Sequence, residues 1–452
     1  MRFLRASTVF FAGLLALGFA REAAAIQFVQ QATLTASDAA AGDAFGSRVS
    51  LSSDGTVALV GAPGDDCAAG ADCGAAYVFV HTASGWGEQA KLTASDAAAN
   101  ARLGHDVALS GDGSTALLRA RSTDCIDSSS CAVAYVFRRI GGSWIETAKL
   151  KTTGSFQDDF IRSIALSGDG RTALLGAPNN CPNFQAVPCG TVHVYVRSGE
   201  SWSEETRLVE SEAVFRFGKS VDLTKDGLTA LVGVEFGPEE VTADDHRFVG
   251  AYTFVRSGGA WVRQQRLAAS SSDFLTEPVA PYGEVTLSGD GNTALLSSPI
   301  AGCSHQLEGG VGYCGVLRTF VRVGGSWTEG QFLGILNTAG FGQRSALSGD
   351  GTIAMTMMPP AMVYARVGDS WIEQQRGLFG HAMSLSENGR TALTGVGTLP
   401  CSAGANCGAA FIYAAAPAAE VPTLSDLGLA LLALALVAYG ASRLRGSRPR
   451  SG

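Results

Sequence analysis

Hydrophobic and polar residues alternate along much of this chain in short runs of period two. "AYVFVH" (Ala76 to His81) is one such run. In a β-strand its aromatic residues share one pleat face and the others point the opposite way. A second kind of run is continuously apolar, as in "VALVGAP" (Val57 to Pro63). The two kinds recur in a fixed order, with turn residues between them. The pattern predicts short strands, no long helices in the body of the chain, and an internal repeat.

The repeat is about 58 residues long. One unit reads Phe-Gly, an alternating strand, Ser-x-Asp-Gly, an apolar strand, a loop, Gly-x-x-Tyr-x-Phe, Gly-x-Trp, and a polar strand ending in Leu. Units start at Phe45-Gly46, Leu103-Gly104, Phe160-Ile161, Phe217-Gly218, Tyr282-Gly283, Phe341-Gly342 and Phe379-Gly380. The turn is "SSDG" at Ser52, "SGDG" at Ser110, Ser167, Ser288 and Ser348, "TKDG" at Thr224 and "SENG" at Ser386. Asp-Gly and Asn-Gly are strong hairpin signals, because tight hairpin turns need positive φ. Four short strands per unit and seven units predict an all-β, seven-bladed β-propeller rather than a sandwich. A linear solenoid would need capping units, and none is apparent.

The six tryptophans, Trp86, Trp144, Trp202, Trp261, Trp327 and Trp371, share one repeat position. A Leu follows six residues later in the first five cases and seven later in the sixth (Leu378). A sugar-stacking platform is one reading of such a series; packing between blades is the reading favoured here. The seventh unit has no Trp and no fourth strand after "AAFIYAA" (Ala409 to Ala415). The first residues of the chain's body offer one: Phe28 and Leu34 keep the six-residue step of Trp86 and Leu92. The expectation is that Phe28 to Leu34 pairs with Ala409 to Ala415, that Phe28 takes the seventh Trp position, and that the ring closes there.

Two ends are set apart from this domain, which is expected over residues 26–416. Residues 1–25 read as a secretory signal: Arg2 and Arg5, an apolar run from Thr8 to Ala20, and "AAA" at Ala23 to Ala25. That run is short for a membrane anchor. At the other end, residues 417–452 carry an apolar stretch from Leu427 to Ala441 followed by Arg443, Arg445, Arg448 and Arg450. This predicts a transmembrane helix with its basic end in the cytoplasm and the bulk of the chain outside.

Composition agrees with an exported β protein. Charged residues make up 16% of the 452, there are 57 glycines, and the net charge of −8 argues against a nucleic-acid partner. Ten cysteines fall into five local pairs: Cys67 with Cys73, Cys125 with Cys131, Cys181 with Cys189, Cys303 with Cys314, and Cys401 with Cys407. With a signal segment they read as disulfides of an oxidising compartment. Zinc would need closer spacing and usually histidine, and neither is present.

The Phe-Gly starts, the "GAP" at Gly61 to Pro63 and Gly176 to Pro178, and "GAAYVF" (Gly74 to Phe79) resemble FG-GAP repeats. Such repeats build the seven-bladed propellers of integrin α subunits and many bacterial surface proteins. The resemblance spans about Phe28 to Ala415 and implies the same fold here. It departs in metal chemistry. Integrin-type repeats often hold calcium in D-x-D-x-D-G loops, whereas each turn here has one acid: Asp54, Asp112, Asp169, Asp226, Asp290, Asp350 and Glu387. One carboxylate is too few, so these read as turn residues and no metal is expected. The tail resembles the IPTL-type sorting signals of Gram-negative surface proteins through Val421, Pro422, Thr423, Leu424 and Ser425. It has Val421 and Leu427 where Ile and Trp are usual. That resemblance implies recognition and removal of the tail by a membrane sorting protease, making the helix a temporary anchor.

No G-x-S-x-G elbow, H-E-x-x-H or P-loop is present. The histidines, His81, His105, His193, His246, His305 and His381, share no repeat position. Acid gathers in "VEFGPEEVTADDHRF" (Val234 to Phe248), which reads as a solvated loop with a cation or basic-partner site as the alternative. A second candidate surface is the loop from Ser297 to Gly315. The expectation is therefore an exported, non-enzymatic propeller of the cell surface or envelope that binds an extracellular protein or glycan and needs no cofactor. The alternative is a secreted propeller hydrolase or lyase acting on an extracellular polysaccharide at the central channel. A third reading is an envelope protein without soluble ligand.

Overall fold

The computed structural model describes residues 26–122, 131–152, 161–179, 190–210, 216–234, 250–268, 284–302, 313–334, 342–357 and 361–416. They contain strands β1 to β28 in chain order, arranged as seven four-stranded antiparallel sheets. In the first blade β2 (Arg48–Leu51) lies innermost, followed outward by β3 (Val57–Ala62), β4 (Ala75–Thr82) and β5 (Gly85–Leu92). The next five blades repeat this order. Residues Gln27–Ala415 form one compact unit, a seven-bladed propeller.

The two kinds of apolar run have a common cause. The second strand of each blade is sandwiched between two neighbouring blades, so all six residues of β3 are buried and no alternation is needed. The innermost strand meets other blades only on its sides. Val49 and Leu51 are buried there, while Arg48 and Ser50 are half-buried and face the axis. The cores lie between blades: Phe45, Leu51, Val60 and Tyr77 of the first pack with Leu393 and Ile412 of the seventh.

The hairpin turns are built as their sequence demands. Ser52 Oγ donates to Asp54 Oδ1 (2.6 Å) and accepts from the Val57 N–H (2.9 Å). Asp54 in turn accepts from the Thr56 N–H. The same bonds recur at Ser110 with Asp112 and at Ser348 with Asp350, so these carboxylates serve their own turns. The seventh turn differs from expectation. Asn388, not Glu387, accepts from Ser386 Oγ (2.9 Å) and the Arg390 N–H (3.0 Å), which leaves Glu387 to point elsewhere.

The ring closes where the half-unit predicts. Strand β1 (Phe28–Leu34) pairs antiparallel with β28 (Ala409–Ala415), from Phe28 opposite Ala415 to Leu34 opposite Ala410. Phe28 occupies the tryptophan position by an independent criterion. Gln265 clamps the Trp327 backbone, accepting from its N–H (2.9 Å) and donating to its carbonyl (2.8 Å). Gln375 makes the same two bonds to Phe28 (2.6 and 3.1 Å). The tryptophans themselves pack on interblade cores; Trp327 and Trp371 are buried and the other four half-buried. The extra residue before Leu378 is absorbed as a β-bulge between Arg376 and Leu378, with Gly377 at φ +110°.

Two of the five expected disulfides, Cys67–Cys73 and Cys401–Cys407, are formed. Each closes a loop that ladders onto the entry of the next blade. Asn100, Arg102 and Leu103 donate to the Ala71, Asp72 and Cys73 carbonyls, and Gly42, Ala44 and Phe45 donate to those of Ala405, Asn406 and Cys407. The other three expected pairs differ from these two, because no disulfide is described for them. Cys131 opens β8 (Cys131–Ile140), but its expected partner Cys125 lies outside the described residues. Cys314 lies in β20 (Tyr313–Val323), but its expected partner Cys303 lies outside them. Both Cys181 and Cys189 lie outside them. So do the signal segment and the tail with Val421 to Ser425 and its expected helix. Among the described residues no helix is long and apolar enough to cross a membrane.

Candidate functional site

The innermost strands enclose a channel of about 870 Å³ along the propeller axis. Their period-two pattern sends every second side chain into it, so the lining stacks as rings. At the mouth, four residues before each turn, stand Arg48, Asp106, Ser163, Ser220, Glu284, Arg344 and Ala382. Two residues deeper come Ser50, Ala108, Ala165, Asp222, Thr286, Ala346 and Ser384. The floor is the second residue of each turn: Ser53, Gly111, Gly168, Lys225, Gly289, Gly349 and Glu387.

Backbone hydrogen bonds link neighbouring turns of this ring. Ser53 N donates to Gly111 O, Gly111 N to Gly168 O, Lys225 N to Gly289 O, and Glu387 N to Ser53 O. The glycines leave room for the two long side chains. A Cβ on Gly168 would overlap Lys225, and one on Gly349 would overlap Glu387. Lys225 Nζ and Glu387 Oε2 then meet 3.7 Å apart, although they come from the fourth and seventh blades. This is the place of Glu387 that its sequence position as a turn acid did not suggest.

Most polar side chains of the upper rings tie one blade to the next. An innermost strand presents unpaired N–H groups to its neighbour, and these need acceptors. Ser384 Oγ accepts from Leu51 N, Ser50 Oγ from Leu109 N, and Ser220 Oγ from Val285 N, each at 3.1 Å. Asp222 accepts from Leu287 N (2.7 Å) and Leu223 N (2.8 Å). Two interblade ion pairs join the mouth ring: Arg48 with Asp106 (3.4 Å) and Arg344 with Glu284 (3.9 Å).

Enclosure shifts the carboxyls of Asp222 and Glu284 upward. Burial pushes Asp222 up to about 6 against the pull of its two N–H donors. Burial likewise pushes Glu284 up to about 7, opposed by the Arg48 charge. His105, beside the buried Arg119, moves the other way. Burial, then the charges of Arg119, Arg48 and Arg121, push it down to about 3, so its imidazole is neutral at pH 7.

The expected sites are not brought together. His81 packs at a tilt against Trp86, His105 contacts Arg119, His193 binds Glu204 (2.8 Å), and His381 donates its backbone N–H to Gly395 O. His246, His305 and the acidic loop lie outside the described residues, as does most of the loop after Ser297. The channel acids Asp106, Asp222 and Glu284 were not singled out from sequence. Stacking the units on their Ser-x-Asp-Gly turns and reading two and four residues back would have found them.

Residues 28–79 and 86–137 match the FG-GAP repeat family. Those two stretches carry FG-GAP repeats, and the described residues fold as a seven-bladed β-propeller. No curated protein matches it. Among solved structures it is similar to a Bacteroides uniformis protein named as a candidate 6-phosphogluconolactonase. That match has 13% identity and TM-score 0.48, over 73% of this chain and 84% of that one. A Bacteroides fragilis protein of the same name matches at 12% identity and TM-score 0.46, over 73% and 82%.

Proposed function

We propose that this is an exported, non-enzymatic propeller of the cell surface or envelope that binds an extracellular protein or glycan as an adhesion or interaction scaffold. The observation that carries this reading is the use of the polar residues. Turn carboxylates cap hairpins, and channel serines and Asp222 hold neighbouring blades together. Such residues rigidify a platform, and binding then falls to loops and to the channel mouth. Two closed disulfide loops accord with export. The tail after residue 416 would anchor the chain in the membrane until a sorting protease releases it. Surface labelling of intact cells, with pull-down of glycans and envelope proteins by the full chain, tests the proposal. Exclusive recovery from the cytoplasm would contradict it.

One observation favours the alternative of a hydrolase or lyase. Glu284, raised to about 7, is a carboxyl of general-acid character facing the channel. Turnover of a polysaccharide that disappears in Glu284→Gln would replace the binding reading by the enzymatic one.

A further inference from the structure

Resting on the reading of the tail as a membrane anchor, we infer that the hairpin-tip end of the ring is its membrane-facing end, seated on the headgroups of a bilayer that contains anionic phospholipid. The channel mouth then points away from the membrane. Three observations converge on this.

The first is where exposed apolar side chains lie. In the first six blades the third and fourth strands join in a tight hairpin, as β4 and β5 do between Thr82 and Gly85. Antiparallel order puts these tips at the same end of the ring as the Ser-x-Asp-Gly turns, and the disulfide loops and channel mouth at the other. Ile140, Val323 and Val367 stand exposed at three tips, beside glycines with open space around them. Val29, Ile145, Val262 and Ile372, each next to Phe28 or a tryptophan, are exposed on the outer strands. With Leu228 beside its turn, these are eight of the eleven exposed large apolar side chains among the described residues. Single exposed aliphatics are ordinary on a soluble surface, but their gathering at one end marks a contact.

The second is the company they keep. All six tryptophans stand at the hairpin end of their outer strands, about 7 Å from the tips at the rise of a strand. Register places His81 opposite Trp86 and an arginine opposite each of the others: Arg139, Arg197, Arg256, Arg322 and Arg366. Tryptophans and long cationic side chains, with aliphatic residues beyond them, suit the boundary of lipid and water. Ring and stem take the apolar side, and the charge reaches the phosphates. Arg139 is exposed, and near it Arg138, Arg171 and Arg197 crowd together. Burial, then the charges of Arg138 and Arg171, hold Arg197 below its usual value. A lipid phosphate relieves that crowding. The two acids of the tips, Glu200 and Asp369, each lie against an arginine, Arg138 and Arg366.

The third is where the chain leaves. Phe28 lies opposite Ala415 at the tip end of the seventh blade, so the chain enters and leaves the propeller there. The residues after 416, with the apolar stretch from Leu427, continue from this end and not from the mouth.

Tryptophan fluorescence tests this without a label, because none of the six tryptophans lies at the mouth end. The full chain is reconstituted into vesicles of phosphatidylcholine and phosphatidylglycerol, with or without bromine on the acyl chains near the headgroups, and floated. Co-flotation with loss of tryptophan emission in the brominated vesicles is expected, and the loss should shrink with salt or when phosphatidylglycerol is left out. The triple variant Ile140→Glu, Val323→Glu and Val367→Glu should still co-float through its tail, keep its melting temperature and recover the emission. The double variant Arg139→Gln with Arg171→Gln should recover part of it. Co-flotation with full emission, or equal quenching in both variants, would overturn the membrane-facing end while the tail stands as an anchor; the exposed collar would then belong to a protein partner. Quenching indifferent to salt and to phosphatidylglycerol would overturn the anionic headgroup contact. Absence of co-flotation would overturn the anchor and this inference together.

Discussion

Glu387 shows how far a single residue's role can be read from its position. In sequence it completes a series of one acid per turn, and the six aspartates of that series are turn residues, as the single carboxylate implied. Glu387 sits one residue earlier in its turn than they do, and Asn388 takes the capping role. Its partner Lys225 is 162 residues away in another blade, so no local pattern links the two. Glu284 is a comparable case, since its raised pKa comes from enclosure that exists only once seven blades meet. Its folded-state value near 7 lies above the ordinary 4.5. The folded protein therefore holds a proton that the unfolded chain has released, and stability falls as pH rises through about 4.5 to 7. Glu284→Gln removes this term. Its melting temperature should exceed that of the parent at pH 8, and the gap should shrink toward pH 5. Asp222 acts in the same direction between 3.8 and about 6. His105 opposes them: its unfolded form takes up a proton below 6.5 while the folded form waits until about 3, so it lowers stability as pH falls. Thermal melts of the parent and of Glu284→Gln from pH 4 to 8 separate these slopes. Parallel curves would contradict the assignment to Glu284.

At the scale of elements the sequence was most transparent. Asp-Gly turns and the two kinds of apolar run delimit hairpins because each follows from one local rule. What those rules could not supply was the contact that gives Phe-Gly and Gly-Ala-Pro their residues. The Gly61 backbone packs on the turn at Gly104 of the next blade, where an added Cβ would overlap the Gly104 carbonyl oxygen. Gly176 meets Gly218 and Gly395 meets Gly46 in the same way. The two motifs are halves of one interblade contact, and between the second and third blades both halves have changed. Arg119 replaces the glycine in the second blade, and the third blade has Ile161 where Gly104 stands in the second. Met357 replaces it in the sixth blade, and in the seventh Phe379 is turned out, 51% exposed, whereas Phe45 and Phe217 are buried. Gly176→Val should therefore cost about 3 kcal/mol, the upper range for overpacking, because backbone cannot yield as a side chain does. Chemical denaturation measures this; a loss under about 1 kcal/mol would mean that the blades slide apart freely. The disulfide loops extend the same seam. Replacing both Cys401 and Cys407 by Ser should lose about 2 kcal/mol for the small loop, with faster hydrogen exchange at the Ala44 and Phe45 amides that the loop holds.

For the whole molecule, closure decides whether there is a channel at all. Seven blades in a row would leave the first and last sheets with open faces and the innermost strands with unmet N–H groups. The chain closes three ways: β1 beside β28, the Cys401–Cys407 loop on the first blade's entry, and the Glu387 N–H on Ser53. Only the first was legible, because Phe28 and Leu34 repeat a spacing that six tryptophans had already defined. The other two are contacts between residues more than 300 positions apart, invisible until the circle exists. The mouth ring inherits the same dependence, since its seven residues come from seven separate blades. A chain lacking residues 27–35 gives the most direct test. It loses buried Phe28 and Leu34, about 1.5–3 kcal/mol each by area, and the pairing with β28. We expect a melting transition lowered by on the order of 10 °C and broadened, as the seventh blade separates before the rest. A melting curve superimposable on that of the full chain would contradict closure by the N-terminal strand, and with it the channel built on that closure.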